Sequence, residues 1–213
     1  MTVGGLVYGP ISSYSRVRIL HLLFEATSAE VPAELTIDEL CERTGLHANT
    51  VREHLQRLID GGYVIPTIEH RTTRGRPRTL YSAATGTPEA SSPVARGKVA
   101  EAARRGDMMR RIMAEEDSAL GREATNQLDA LIEHLEESGF EPVVDEDELT
   151  VDLSPCPHVV SRPENRPMLC QVHLGLMQGI LAQAGGPLAT SCVHAAARPE
   201  ECTVQLRLTT RAA

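Results

Sequence analysis

The sequence has no tryptophan, two phenylalanines and four tyrosines, so any core has to be built from Leu, Val, Ile, Met and Ala. It also lacks an apolar run of the roughly 18 residues that a membrane helix needs, and no membrane partner is expected. The opening stretch, MTVGGLVYGP, has no charged n-region followed by an apolar h-region; no signal peptide is expected, and the chain reads as cytoplasmic. Five cysteines are an odd number for disulfide pairing. In a cytoplasmic chain they argue for free thiols or metal ligands.

The net charge of −8 by itself argues against nucleic acid, but its distribution reverses that inference. Residues 1–83 carry nine Arg against nine Asp or Glu, whereas residues 84–213 carry twelve basic and twenty acidic groups. Six of the arginines fall within 44–81, opposed there only by Glu53, Asp60 and Glu69. A local basic surface therefore lies in the first half, and the acidity belongs to the second. The 213 residues suffice for one large domain or two modest ones.

Residues 12–26 open with serines suited to capping and place Val17, Leu20, Leu23 and Phe24 on one helical face, with His21 at the edge of that stripe. A short helix begins at Thr36, where Glu39 three residues on completes a capping box; Gly45 closes it in a left-handed turn. A second helix spans about 47–60 and ends at Gly61-Gly62. Two short helices joined by a glycine turn make a helix-turn-helix. On the second helix Val51, Leu55, Leu58 and Ile59 face one way. Asn49, Thr50, Glu53, Gln56 and Arg57 face the other, and with His47 and Arg52 they form the surface expected to meet base edges and phosphates.

An extended stretch, 63–70, then leads into a basic tip, 71–78, and returns at 79–81. This is the pattern of a β-hairpin with Arg71, Arg74, Arg76 and Arg78 near its end, suited to phosphates or a narrow minor groove. Helix, turn, helix and basic wing together point to double-stranded DNA. The run LCERTGLHANTVREHLQRLIDGGYV followed by RGRPRTLY resembles the bacterial ArsR-like winged-helix regulators, and its wing is similar to the branch containing the SufR iron–sulfur repressors. Some metal-sensing relatives use a Cys-x-Cys pair at the first of these helices. Here Cys41 stands alone and reads as a packed thiol.

Residues 84–96 read as a linker, and 97–138 as helix-forming with a possible break at Gly121. Met109, Ile112, Met113, Leu120, Ala124, Leu128, Leu131 and Leu135 recur at three- and four-residue steps, a stripe expected to form a homodimer that reads a palindromic operator. The eight acidic groups within 133–148 read as a solvated helix end and hairpin.

The last sixty residues hold four of the five cysteines with histidines beside them: Cys156 and His158, Cys170 and His173, Cys192 and His194, and Cys202. Soft ligands at this density point to metal binding or redox chemistry. Residues 149–153 alternate as a strand running into Cys156 between two prolines. Pro167 opens a helix to about Ala184 with Leu169, Val172, Leu176 and Ile180 inward, and 202–208 is a final strand. Cys170 falls in the first turn of its helix, where the dipole is expected to lower the thiol pKa. A strand end, a helix start and a second strand start can bring Cys156, Cys170 and Cys202 to one point, with Cys192, His158, His173 or His194 competing for a fourth place. By residue chemistry, iron–sulfur and zinc both suit such a set.

This half also resembles the SufR-type regulators, through SPCP, then LC-x-x-HLGLM-x-GIL, then P-x-x-C in the final strand. The resemblance implies a [4Fe-4S] or [2Fe-2S] cluster on Cys156, Cys170 and Cys202, and targets in iron–sulfur assembly. No Asp or Asn orienter at recognisable spacing accompanies the Cys/His neighbours, so no enzyme is expected. The expected architecture is α+β: a winged helix-turn-helix domain over 1–84, a helical dimerisation connector over 85–139, and a cysteine-rich α+β sensor domain over 140–213.

Overall fold

A computed structural model describes residues 13–69, 77–113, 119–154, 156, 163–195 and 202–209. Helix α1 (Tyr14–Thr27) buries Val17, Leu20 and Leu23 as its periodicity requires, and adds Ile19 and the side chain of Arg16. Ser13 occupies the N-cap, but its hydroxyl makes no cap bond; the Ser13 carbonyl accepts from the Val17 N–H at 3.0 Å. The serine cap expected there is thus a backbone cap only.

Helix α2 (Ile37–Thr44) starts with the full capping box: Thr36 Oγ1 accepts from the Glu39 N–H at 3.3 Å, and Glu39 Oε2 accepts from the Thr36 N–H at 2.7 Å. Two orphan donors of the first turn are satisfied reciprocally. Gly45 ends the helix at φ 72°, a conformation that costs glycine little. Helix α3 (Ala48–Asp60) follows, burying Val51, Leu55 and Leu58. Strands β1 (Val64–Ile68) and β2 (Thr79–Ala83) pair antiparallel from Val64↔Ala83 to Ile68↔Thr79. Leu35 bridges to Tyr81 through two backbone bonds of 2.9 and 2.8 Å, so the segment before α2 adds a one-residue third strand beside β2. This is the winged-helix order.

The linker is shorter than its composition suggests. After a 3-10 turn at Pro88–Ala90, helix α4 (Pro93–Met113) begins at a proline, whose fixed φ suits a first helical position. Helix α5 (Arg122–Glu137) starts just after Gly121 and lies antiparallel to α4. Lys98–Glu137 (2.8 Å), Arg105–Glu133 (3.4 Å) and Arg110–Asp129 (2.8 and 3.0 Å) stitch the two together. The apolar stripe of the connector divides in two. Ala124, Leu128, Leu131 and Leu135 are buried in the chain's own C-terminal core, while Met109, Ile112 and Met113 are exposed together with Met108.

Strands β3 (Val143–Asp145), β4 (Thr150–Asp152), β5 (Leu188–Ala195) and β6 (Cys202–Leu208) form an antiparallel sheet in the order β3-β4-β6-β5. Its apolar side, with Val151, Val204 and Leu206, packs against α5 and helix α6 (Arg166–Ala184). Helix α6 contributes to every core. Leu169, Val172 and Leu176 pack with α1–α3, Met177 and Leu181 with the sheet, and Ile180 with Val99, Ala102 and Ala130 of α4 and α5. A helix that is apolar nearly all round is one that is enclosed.

Candidate DNA interface and thiol site

On α3 the side chains of Asn49, Arg52, Glu53, Gln56 and Arg57 are exposed and that of Thr50 is half-exposed, so the face expected to read DNA is open. His47 is exposed as well, but it is the N-cap, its Nδ1 accepting from the Asn49 N–H at 3.3 Å. Two contacts lay side chains along the helix surface: Arg52 Nη1 donates to Asn49 Oδ1 at 2.9 Å, and Gln56 Nε2 to Asp60 Oδ1 at 2.8 Å. Arg78 stands exposed at the base of the wing; Arg71, Arg74 and Arg76 lie outside the described residues.

Three residues behind or beside this face are not singled out by the sequence. Arg18 of α1 donates through Nη2 to the Arg43 carbonyl at 2.7 Å, satisfying an orphan acceptor at the end of α2 and fixing the turn into α3. Arg16 is buried beside α3, where burial first and then Arg57 push its pKa down. Burial, Arg16 and Arg57 likewise lower that of His54, with Glu53 opposing. The signal for Arg16 was its place among the apolar residues of α1, which read equally well as solvated.

In the C-terminal half, two hydrogen bonds join the segments that carry two of the thiols. The Leu153 N–H donates to the Cys202 carbonyl at 2.8 Å, and the Cys202 N–H to Ser154 Oγ at 3.1 Å. Cys156 follows two residues later, and both thiols pack against the C-terminal core. Cys170 projects from α6 within electrostatic reach of both. Burial first, then Cys156, raises its pKa, with Arg166 opposing; burial, Cys156, Cys170 and Asp152 push Cys202 up to about 11.

The dipole expectation for Cys170 is therefore overturned. The helix begins at Arg166, so Cys170 is already past the first turn, where the dipole effect fades and desolvation prevails. Among the described residues, no three His, Cys, Asp or Glu side chains are drawn together as a closed metal-binding group.

Three of the competitors for a fourth position fall within the described residues. His173 packs edge-on against Phe140, ring centroids 5.0 Å apart. Cys192 is placed by strand register opposite Gln205, and His194 opposite Thr203, after a bulge at Thr190/Cys192. His158 lies outside the described residues. Cys41 is part-buried on the winged-helix core. No helix among the described residues is long and apolar enough to cross a membrane.

Comparisons with curated proteins and with solved structures gave no match. Residues 13–65 match the family model described as bacterial regulatory protein, arsR family. That stretch runs from the start of α1 through α3 into β1 and is similar to the helix-turn-helix of bacterial arsR-family regulators, which supports a DNA-binding module of a transcriptional regulator.

Proposed function

We propose that the chain is a homodimeric transcriptional repressor whose affinity for a palindromic operator is switched by an iron–sulfur cluster held through Cys156, Cys170 and Cys202. The observation that carries this reading is the set of three thiols from the stretch after β4, from α6 and from β6, with Cys156 and Cys170 both near enough to Cys202 to weigh on its charge. Without a cation the arrangement disfavours thiolates, because burial and mutual repulsion both raise the pKa. A bound cation reverses that balance and deprotonates its ligands, so the donor set fits a thiolate-bound group. Such a cluster would supply sensitivity to oxidant, nitric oxide or iron supply.

The dimer reading rests on the end of α4. Met108, Met109, Ile112 and Met113 are 50–67% exposed there, an apolar surface with no partner in its own chain among the described residues. Two α3 helices related by a two-fold axis would meet successive major grooves, with the wings on the backbone. Genes of iron–sulfur assembly are the expected targets.

Anaerobic purification with iron, sulfide and zinc analysis tests the cofactor, and selection from a randomised duplex pool supplies the operator. A brown protein with iron and sulfide that loses operator affinity on cluster removal is expected. Colourless protein with stoichiometric zinc overturns the cluster in favour of a zinc-responsive regulator using the same cysteines.

A further inference from the structure

Cys170 and His173 sit on α6, and α6 rests directly on the first helix of the DNA-binding module. The approach is close because position 175 has no side chain: a Cβ built there would lie 3.2 Å from Cε1 and Cζ of Phe24. One turn earlier, His21 Nε2 and Gln171 Oε1 are hydrogen-bonded at 2.9 Å across 150 residues of sequence, with Glu25 on the other ring nitrogen at 3.5 Å. One turn later, Gly179 presses against the Ala84 carbonyl, which a Cβ would meet at 3.0 Å, at the point where β2 leaves the wing. Leu169, Val172 and Leu176 fill the same core as Val17, Leu20 and Leu55, so α1, α3 and α6 share one set of packed side chains.

From this packing we infer that the thiol site communicates with the recognition helix within a single protomer, through the α6–α1 contact at Gln171 and Gly175. The inference rests on the thiol-switched reading given above and adds its route. Cores are close-packed, so a change around Cys170 that shifts or rotates the start of α6 cannot be absorbed at Gly175, where helix and ring are already in contact. It is passed to α1, and Arg18 of α1 holds the turn that aims α3. Gln171 and Gly175 are positioning residues, remote from DNA. The coupling is reciprocal: duplex binding must alter the thiol site as much as the thiol site alters duplex affinity.

The test compares duplex affinity of the full-length protein as purified with that after chelation and alkylation by N-ethylmaleimide, using the best duplex from the selection. Wild type is expected to differ between the two states by at least about fivefold. Gly175→Val, a wedge against Phe24, is expected to keep duplex binding in one state while the ratio between states falls below about twofold. The double variant His21→Ala/Gln171→Ala, which leaves the core intact, is expected to lower the ratio part of the way. Circular dichroism and thermal unfolding check the fold of each.

Protein that binds no selected duplex in either state sinks the regulator reading itself. A wild-type ratio of one removes the switch and this route with it. A folded Gly175→Val variant with the full wild-type ratio overturns the route alone; if that variant does not fold, an unchanged ratio in the double variant does so.

Discussion

Single residues at the junction between the DNA-binding module and the rest of the chain carry unusual environments. His134 of α5 is buried edge-on to the Tyr63 ring, centroids 5.9 Å apart, and burial, then Lys98, push its pKa down to about 4, with Glu137 opposing. In the unfolded chain the ordinary value is about 6.5, so between the two the unfolded state binds more protons. Stability from this group is fully present above the unfolded pKa and is lost as pH falls toward the folded one, amounting to about 2 kcal/mol lost by pH 5. Urea unfolding of wild type and His134→Gln from pH 7 to 4.5 should show the variant's curve flatter in that window; parallel curves would refute it.

Gln127, within the C-terminal half, is a second buried polar residue. Its fully buried amide donates to the Leu181 and Leu188 carbonyls at 2.8 and 3.0 Å and accepts from the Leu188 N–H at 2.7 Å. Gln127→Leu keeps the volume but orphans a buried N–H, and a loss of about 2–3 kcal/mol is expected in the same unfolding assay. Neither residue was legible in the sequence. A polar residue within an amphipathic helix reads as solvated until the packing above it is known.

At the scale of elements, what is locally specified was read well. Thr36, Glu39 and Gly45 act within one or two turns of their own helix, and the pairing of β1 with β2 follows from an extended run on either side of a basic turn. Thr36→Ala should cost about 1 kcal/mol by removing the box, measured as a lowered melting temperature. The recognition surface divides by chemistry. Replacing Asn49 or Arg52 with Ala should weaken the selected duplex more than a random one. Arg78→Gln should weaken both alike and reduce the salt slope by about one, as befits a phosphate contact.

Less is legible in the sequence where an element's surroundings decide. The stripe over α4 and α5 has one period throughout, and periodicity reports which face is apolar without saying what covers it. Half of it proved to be intrachain core. Cys170 lies on its helix as the sequence indicates, but its pKa is raised by burial, which depends on what packs around the sulfur and not on the helix that carries it. Three of the four wing arginines fall outside the described residues.

For the whole molecule, the acidic excess belongs to residues 84–213 while the arginines of residues 44–81 outnumber the acids there, which makes α3 and the base of the wing the surface suited to a duplex. If the end of α4 is the dimer contact, the double variant Met109→Glu/Ile112→Glu should sediment as a monomer while keeping its circular dichroism spectrum. It should also lose most of its affinity for a two-half-site duplex. A dimer that survives both charges would move the contact elsewhere.

Because α6 fills a gap in the core of the DNA-binding module, that module is unfinished without a helix encoded some eighty residues later. The chain is not a pair of interchangeable cassettes. A gene fragment ending after the wing would leave Val17, Leu20 and Phe24 without their cover, and grafting the cysteine-bearing half onto another winged helix would leave Leu169 and Val172 without a seat. Calorimetry should accordingly record one cooperative transition rather than two, and inheritance should pass both halves on together.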